Sequence, residues 1–187
     1  MRSPLRLRAA KAALALVLLI PLSAPRAETA DCASLEIALD ASAGFKETKC
    51  DNGSHAGGGP SHSEEGLVAE GLASVFVVRH VTAGVRTYFD RQDTRVFIDS
   101  GTAFSKIENW AAAPGGNQFT VARFKGWLSG NAGQPLACFA FSRFTGHVAR
   151  SSGFRHIVYG FYCTALDDQV SDDEVRRLIG AIKFSFE

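Results

Sequence analysis

"ACFAFSRFTGHVARSSGFRHIVYGFYC", residues 137–163, sets a cysteine near each end of two aromatic-rich runs that flank a polar centre. Aromatic and β-branched residues favour strands, and a polar Gly/Ser/Arg cluster between two such runs marks a turn. The stretch therefore predicts a long antiparallel hairpin stapled by Cys138 and Cys163. If the two half-cystines lie directly opposite, the remaining register follows. Phe139 then faces Tyr162, Phe141 faces Gly160, Arg143 faces Val158 and Thr145 faces His156, all on one side. Ala140 with Phe161, Ser142 with Tyr159 and Phe144 with Ile157 line the other. An aromatic ring opposite a glycine fills the space left by the missing side chain.

Both faces of this hairpin are apolar near the cysteines, which predicts a covered, central position in a sheet. Toward the tip the first face turns polar, and Arg143, Thr145, His147 and His156 share it, with His147 diagonal to His156. Diagonal neighbours stand roughly 7–8 Å apart at the backbone, within reach of converging imidazoles. Arg143, His147 and His156 are therefore the candidate ligand-binding residues, suited to an anion or another small polar ligand. Two histidines fall short of the three protein ligands usual at catalytic zinc, so neither a metal site nor a catalytic residue is assigned.

Outward from the hairpin, "SDDEVRRLIGAIKF" (171–184) predicts a helix capped by Ser171. Its first turn is acidic, and Val175, Leu178, Ile179 and Ile182 form an apolar stripe. "QFTVARFKGWL" (118–128) alternates as a strand. In "RQDTRVFIDSGTAFSKIENW" (91–110), Asp93 caps a short helix, and a second helical turn is expected near Phe104–Trp110. "ASVFVVRHV" (73–81), a turn at 82–84 and "VRTYFD" (85–90) read as a hairpin. "DNGSHAGGGPSHSEEG" (51–66) is rich in glycine and serine and predicts a flexible loop. "DCASLEIALDASAGFKETKC" (31–50) predicts a helix capped by Asp31 and ended at Gly44, followed by a strand from Phe45 to Cys50. The expected architecture is α+β: an antiparallel sheet with helices packed against it, an α-β sandwich, in a single domain over residues 28–187.

Residues 1–27 begin with four basic residues and no acid, continue with the apolar run Ala12–Ile20, and end in small residues. This is the layout of a secretory signal peptide, and the run is well short of the about 20 residues that a membrane-crossing helix needs. The mature chain is expected to carry no transmembrane segment and to be periplasmic or secreted. Its loss removes five of the twenty basic residues and none of the nineteen acidic ones, leaving fifteen against nineteen, a net charge near −4. That sign disfavours nucleic acid as a partner. Four cysteines in an exported chain predict two disulfides. Sequence order favours Cys32 with Cys50 and Cys138 with Cys163 among the three possible pairings, and neither pair has C-x-x-C spacing.

Further candidates have plainer explanations. His55 and His62, with Glu64 and Glu65 just after, suit a loosely held divalent ion, yet polar loops collect such residues by composition. Asp90 and Asp93 form a spaced carboxylate pair, but Asp93 is explained as a helix cap. Trp110 and Trp127 read as core. No G-x-S-x-G, H-E-x-x-H or phosphate-cradling glycine motif is present.

The early "CASLEIAL…GFKETKC" unit and the late "CFAF…FRH…YC…SDDEV" unit resemble small exported proteins of alphaproteobacteria, a group with no assigned activity. That resemblance implies an address in the cell envelope and no chemistry. By element order the fold is also similar to the α-β-α sandwich of Mog1/PsbP-like proteins, and fold analogy does not license function. The expectation is an exported, non-enzymatic envelope protein, without cofactor, that binds a protein or small ligand. The alternative is a periplasmic hydrolase or metal-dependent enzyme using the His147/His156 hairpin tip.

Overall fold

The computed structural model describes residues 28, 29, 31–45, 47–55, 62–116, 118–130, 133–149 and 151–186. The expected signal peptide (1–27) and the centre of the glycine-rich stretch (56–61) lie outside the described residues. In chain order the elements are β1 (Glu28–Thr29), β2 (Ile37–Leu39), β3 (Glu47–His55), β4 (His62–Glu70), β5 (Ser74–Ala83), α1 (Thr94–Ser100), β6 (Phe104–Ala113), β7 (Thr120–Leu128), β8 (Leu136–His147), β9 (Phe154–Thr164), α2 (Asp172–Ala181) and β10 (Ile182–Phe184). Eight strands form one sheet in the order β1-β3-β4-β5-β9-β8-β7-β6, and β10 and β2 form a separate antiparallel ribbon. Neighbours in the large sheet are antiparallel throughout.

The hairpin of β8 and β9 has the register that the cysteines predict. Cys138 faces Cys163, Phe141 faces Gly160 and Thr145 faces His156. Disulfides join Cys138 to Cys163 and Cys32 to Cys50. Strand alternation then divides the core between two faces. On the first, Phe76, Phe139, Phe141 and Tyr162 pack under Val175, Leu178 and Ile179 of α2. On the second, Val75, Val77, Phe124, Cys138 and Phe161 pack with Ile98 of α1. Burying each large apolar side chain contributes about 2 kcal/mol, so the three inward residues of α2 are enough to hold that helix on the sheet. Ser171 caps it, with Oγ accepting from the Glu174 amide at 3.1 Å. Asp93 caps α1, accepting from the Arg95 amide at 2.7 Å.

Four local expectations are corrected. The segment from Cys32 to Gly44 is not a helix. Asp31 and Asp40 each accept a hydrogen bond two residues on, from the Ala33 and Ser42 amides, breaking the segment into two short 3-10 turns around β2. Such local side-chain bonds compete with helix formation. Residues 104–113 are a strand, not a helical turn. Two irregularities in its pairing with β7, with Asn109 at φ 56° inside the second, bring Phe104, Ile107 and Trp110 together against the core of the second face, while Ala113 packs on the first. Bulges thus produce the three-residue spacing of a helix within a strand. Residues 85–90 do not pair with β5, because both edges of β5 are occupied by β4 and β9. The chain crosses instead to an isolated bridge between Phe89 and Phe154. The ends of the glycine-rich stretch, 51–55 and 62–66, lie in β3 and β4, paired residue for residue out to His55 with His62. Backbone ladder bonds do not require apolar side chains, so polar composition alone does not mark a loop.

At Gly160 the hairpin and its neighbour β5 leave no room for a side chain. A Cβ there would lie 2.0 Å from the Val77 carbonyl oxygen and 2.8 Å from Cζ of Phe141. Gly160→Ala is expected to lower stability by at least about 3 kcal/mol, the upper part of the usual cost of overpacking. Gly180→Ala, on a helical residue whose added Cβ meets nothing within 4 Å, should raise it by about 0.5–1 kcal/mol. Urea unfolding of both variants tests the pair of signs, and a neutral Gly160→Ala would refute the close contact.

Candidate functional site

The alternation that buries Phe76 and Val78 carries His80 and Thr82 onto the same face of β5. Thr82 faces His156 of β9, and His80 faces Val158, so the two histidines are diagonal neighbours across the central strand pair. Their rings meet, with His80 Nε2 3.1 Å from His156 Nδ1. Thr82 Oγ1 stands 3.3 Å from each of these nitrogens. On the other edge of the His80 ring, Nδ1 lies 3.4 Å from Oε2 of Glu65, its direct partner across β4, and 3.6 Å from Oε2 of Glu36.

The small ribbon closes the site. Ser185, just beyond β10, donates its amide to the Glu36 carbonyl at 2.9 Å, which brings the end of the chain beside the residue preceding β2. Glu36 donates its amide to Glu65 Oε2 at 2.9 Å, tying the ribbon to the sheet. The ribbon thus delivers two side chains together, the Glu36 carboxylate and the Phe186 ring. Phe186 stacks on both imidazoles, at 4.4 Å and 11° from His80 and 4.5 Å and 10° from His156. Exposure rises across the site: the side chain of His80 is 1% exposed, Glu65 19% and Glu36 47%.

Burial pushes His80 down to about 4, with the Glu36 charge opposing and His156 adding to the fall. The ring is therefore neutral at neutral pH. With Glu65 accepting from Nδ1–H, Nε2 turns its lone pair toward His156. One carboxylate oxygen of Glu36 and one ring nitrogen of each histidine lie within 4.8 Å of one another, donor types that suit a cation of borderline softness or a small polar ligand. Thr145 Oγ1, on the residue directly across from His156, is buried with no hydrogen-bond partner among the described residues.

Of the residues expected at the site, His156 lies in the pair. Arg143 lies beside it, its guanidinium 5.2 Å from the ring of Phe184, which packs on Phe186. His147 is exposed, and its ring contact is with Phe154 at 5.8 Å. Phe154 packs in turn on Phe144 of the second face, and Gly146, at φ 68°, turns the chain between Thr145 and His147. The structure therefore does not join His147 to His156. Arg155 donates to the carbonyls of Gly84 and Thr87. Glu64 and Glu65, grouped with His55 and His62 in the sequence, go to opposite faces: Glu65 to His80, Glu64 to Arg79 and Tyr159. Asp90 is exposed, and the two tryptophans are half-buried.

His80, Glu36, Thr82 and Phe186 were missed. The available signal was in "SVFVVRHVT", where period-two alternation places His80 on the face of Phe76 and Val78, an apolar setting that a histidine occupies only with partners. A recess of about 380 Å³ on the second face is lined in part by Glu64, Val81, Phe97 and Tyr159. The buried polar groups behind it pair among themselves, Arg79 with Asp51 at 2.6 Å and the Tyr159 hydroxyl donating to Glu64 at 3.4 Å. No protein-family model, curated protein or solved structure matches the chain.

Because folding depresses His80 from its ordinary 6.5 to about 4, the unfolded chain binds the proton first as pH falls. The contribution of His80 is complete above pH 6.5 and is lost progressively down to about pH 4, a change on the order of 3 kcal/mol. Urea midpoints measured at pH 7, 5.5 and 4 should follow this fall, and His80→Gln should flatten it. A wild-type midpoint that rises on acidification would contradict the burial of a neutral ring.

Proposed function

We propose that the chain is an exported, non-enzymatic domain of the cell envelope that binds a small ligand at the His80–His156 pair. The observation that carries this reading is a pair of imidazoles, 3.1 Å apart at their nitrogens, held on a sheet face beneath an aromatic ring. Such an arrangement costs desolvation and gives little packing that apolar residues would not supply better, and perturbed ionisable groups of this kind concentrate at functional sites. The basic and apolar first 27 residues support export, as do two disulfides. No described helix is long and apolar enough to cross a membrane. Kinship with small exported alphaproteobacterial proteins and with Mog1/PsbP-like domains belongs to the same proposal. The terminal helix and antiparallel sheet support the fold analogy; that no α-helix precedes α1 among the described residues weighs against it.

A hydrolytic reading has one observation in its favour. Thr82 Oγ1, His80 and Glu65 stand in the order of a nucleophile, a base and its orienting carboxylate. Binding is the better reading for two reasons. His156 competes for the same Nε2 at 3.1 Å, and Thr82 sits inside β5 with paired strands on both sides. Backbone amides in those ladders are not free to form the donor pair that a developing oxyanion needs.

The test is an NMR titration of the purified protein with a panel of small organic anions, cations and neutral polar compounds together with divalent metal ions. At least one member should shift the ring signals of His80 and His156 saturably, and His156→Ala should abolish that response. The reading fails if no member moves those signals, or if Thr82→Ala eliminates turnover of an ester substrate by the wild-type protein.

A further inference from the structure

Resting on that reading, we propose that the ligand is a divalent first-row transition-metal ion. It would be held by Nε2 of His80, Nδ1 of His156 and the Glu36 carboxylate. Metal–nitrogen bonds of about 2.0–2.1 Å in a tetrahedral site set the two nitrogens roughly 3.3 Å apart. The observed 3.1 Å between Nε2 and Nδ1 is close to that edge, and because the two nitrogens meet head-on, with ring centroids 5.4 Å apart, an ion enters with a tilt of the rings. Histidine ligands also need their second nitrogen held, and Glu65 does this at Nδ1 of His80. Its carboxylate is itself fixed by the Glu36 amide at 2.9 Å.

The aromatic cover closes one side of the pair. Phe186 lies within 11° of the plane of each imidazole, over its face. The nitrogen lone pairs lie in the imidazole planes and face each other beneath it, so an ion between them sits against the ring. Glu36, half exposed, provides the approach from solvent and a carboxylate able to turn onto the ion. Glu36 and Glu65 set two carboxylates beside the imidazoles, surroundings that suit a doubly charged cation. Imidazole donors favour zinc, copper, nickel and cobalt over calcium and magnesium, and Thr82 Oγ1 or water is placed to complete the shell.

The experiment uses zinc, copper, nickel and cobalt ions one at a time, with affinity read by competition against a chromophoric chelator. Cobalt absorption and the ring nitrogen shifts of 15N-labelled histidine report the donors. One equivalent should bind, shifting Nε2 of His80 and Nδ1 of His156. His156→Gln should weaken binding by more than about 100-fold, and Glu65→Gln by about 10–100-fold with stoichiometry kept. Glu36→Gln, on an exposed residue that leaves the fold intact, should weaken it at least about tenfold. Urea midpoints of each variant separate lost ligation from lost folding. The inference is overturned if zinc, copper, nickel and cobalt all fail to bind stoichiometrically. It is also overturned if a folded His156→Gln binds as well as wild type, or if His147→Ala removes the binding. Should no metal bind while an organic member of the panel still shifts both rings, the metal assignment falls and the small-ligand reading stands. If neither binds, both fall.

Discussion

Cys138 and Cys163 face one another directly across β8 and β9, and the register and faces of this central hairpin follow from that pairing. Once the pair is opposite, side-chain alternation puts Phe139, Phe141 and Tyr162 on one face and Ala140 and Phe161 on the other. A one-residue slip would exchange the faces of a whole strand, so register and core are a single constraint. Gly160 extends that constraint to β5, because only a residue without Cβ lets the Val77 carbonyl and the Phe141 ring approach from two sides. The bridge closes a loop of sequence separation 25, and such a closure removes about 3 kcal/mol of chain entropy from the unfolded state.

The same register places His156. Being opposite Thr145 on one side and Thr82 on the other, it must lie diagonal to His80. A buried imidazole needs polar partners for both nitrogens, and β4 supplies one in Glu65, directly across from His80. The cost of burial appears in the depressed proton affinity of His80, which two nearby carboxylates fail to reverse. His80 is thus kept neutral by desolvation, and neutral imidazole is the form that offers a lone pair.

The hairpin, its pairing and its faces were legible in the sequence because a disulfide and a ring-opposite-glycine contact are local in meaning. Both specify which residues face each other. The helix starts at Asp93 and Ser171 were legible for the same reason, since a cap bonds an amide only two or three residues away. Strand β6 was not, because bulges gave Phe104, Ile107 and Trp110 a helical spacing. Half of the candidate site was equally hidden. Arg143 and His156 could be placed by the hairpin register, whereas His80 joins them only through the β5–β9 pairing, which no turn or cysteine announces. Glu36 and Phe186 lie 150 positions apart, in segments that meet through a two-stranded ribbon. Side-chain chemistry marks candidates in a sequence, but long-range strand order decides which of them meet.

That ribbon also shapes what binding would do to the protein. It is short, three residues a side, and small strand pairs are marginal by themselves. Its place on the sheet rests on packing with the α2 face, on the Glu36–Glu65 hydrogen bond and on Phe186 covering the imidazoles. Two of these three supports are made by residues of the candidate site. A ligand gripping Glu36 and both histidines would therefore join a central strand pair to a peripheral ribbon, adding its binding free energy to the docking of that ribbon. The ribbon in turn brings Glu36 to the histidines at no further ordering cost to the ligand. Site and closure would stabilise each other, which gives the placement of two histidines beneath an aromatic ring a physical purpose that core packing alone does not.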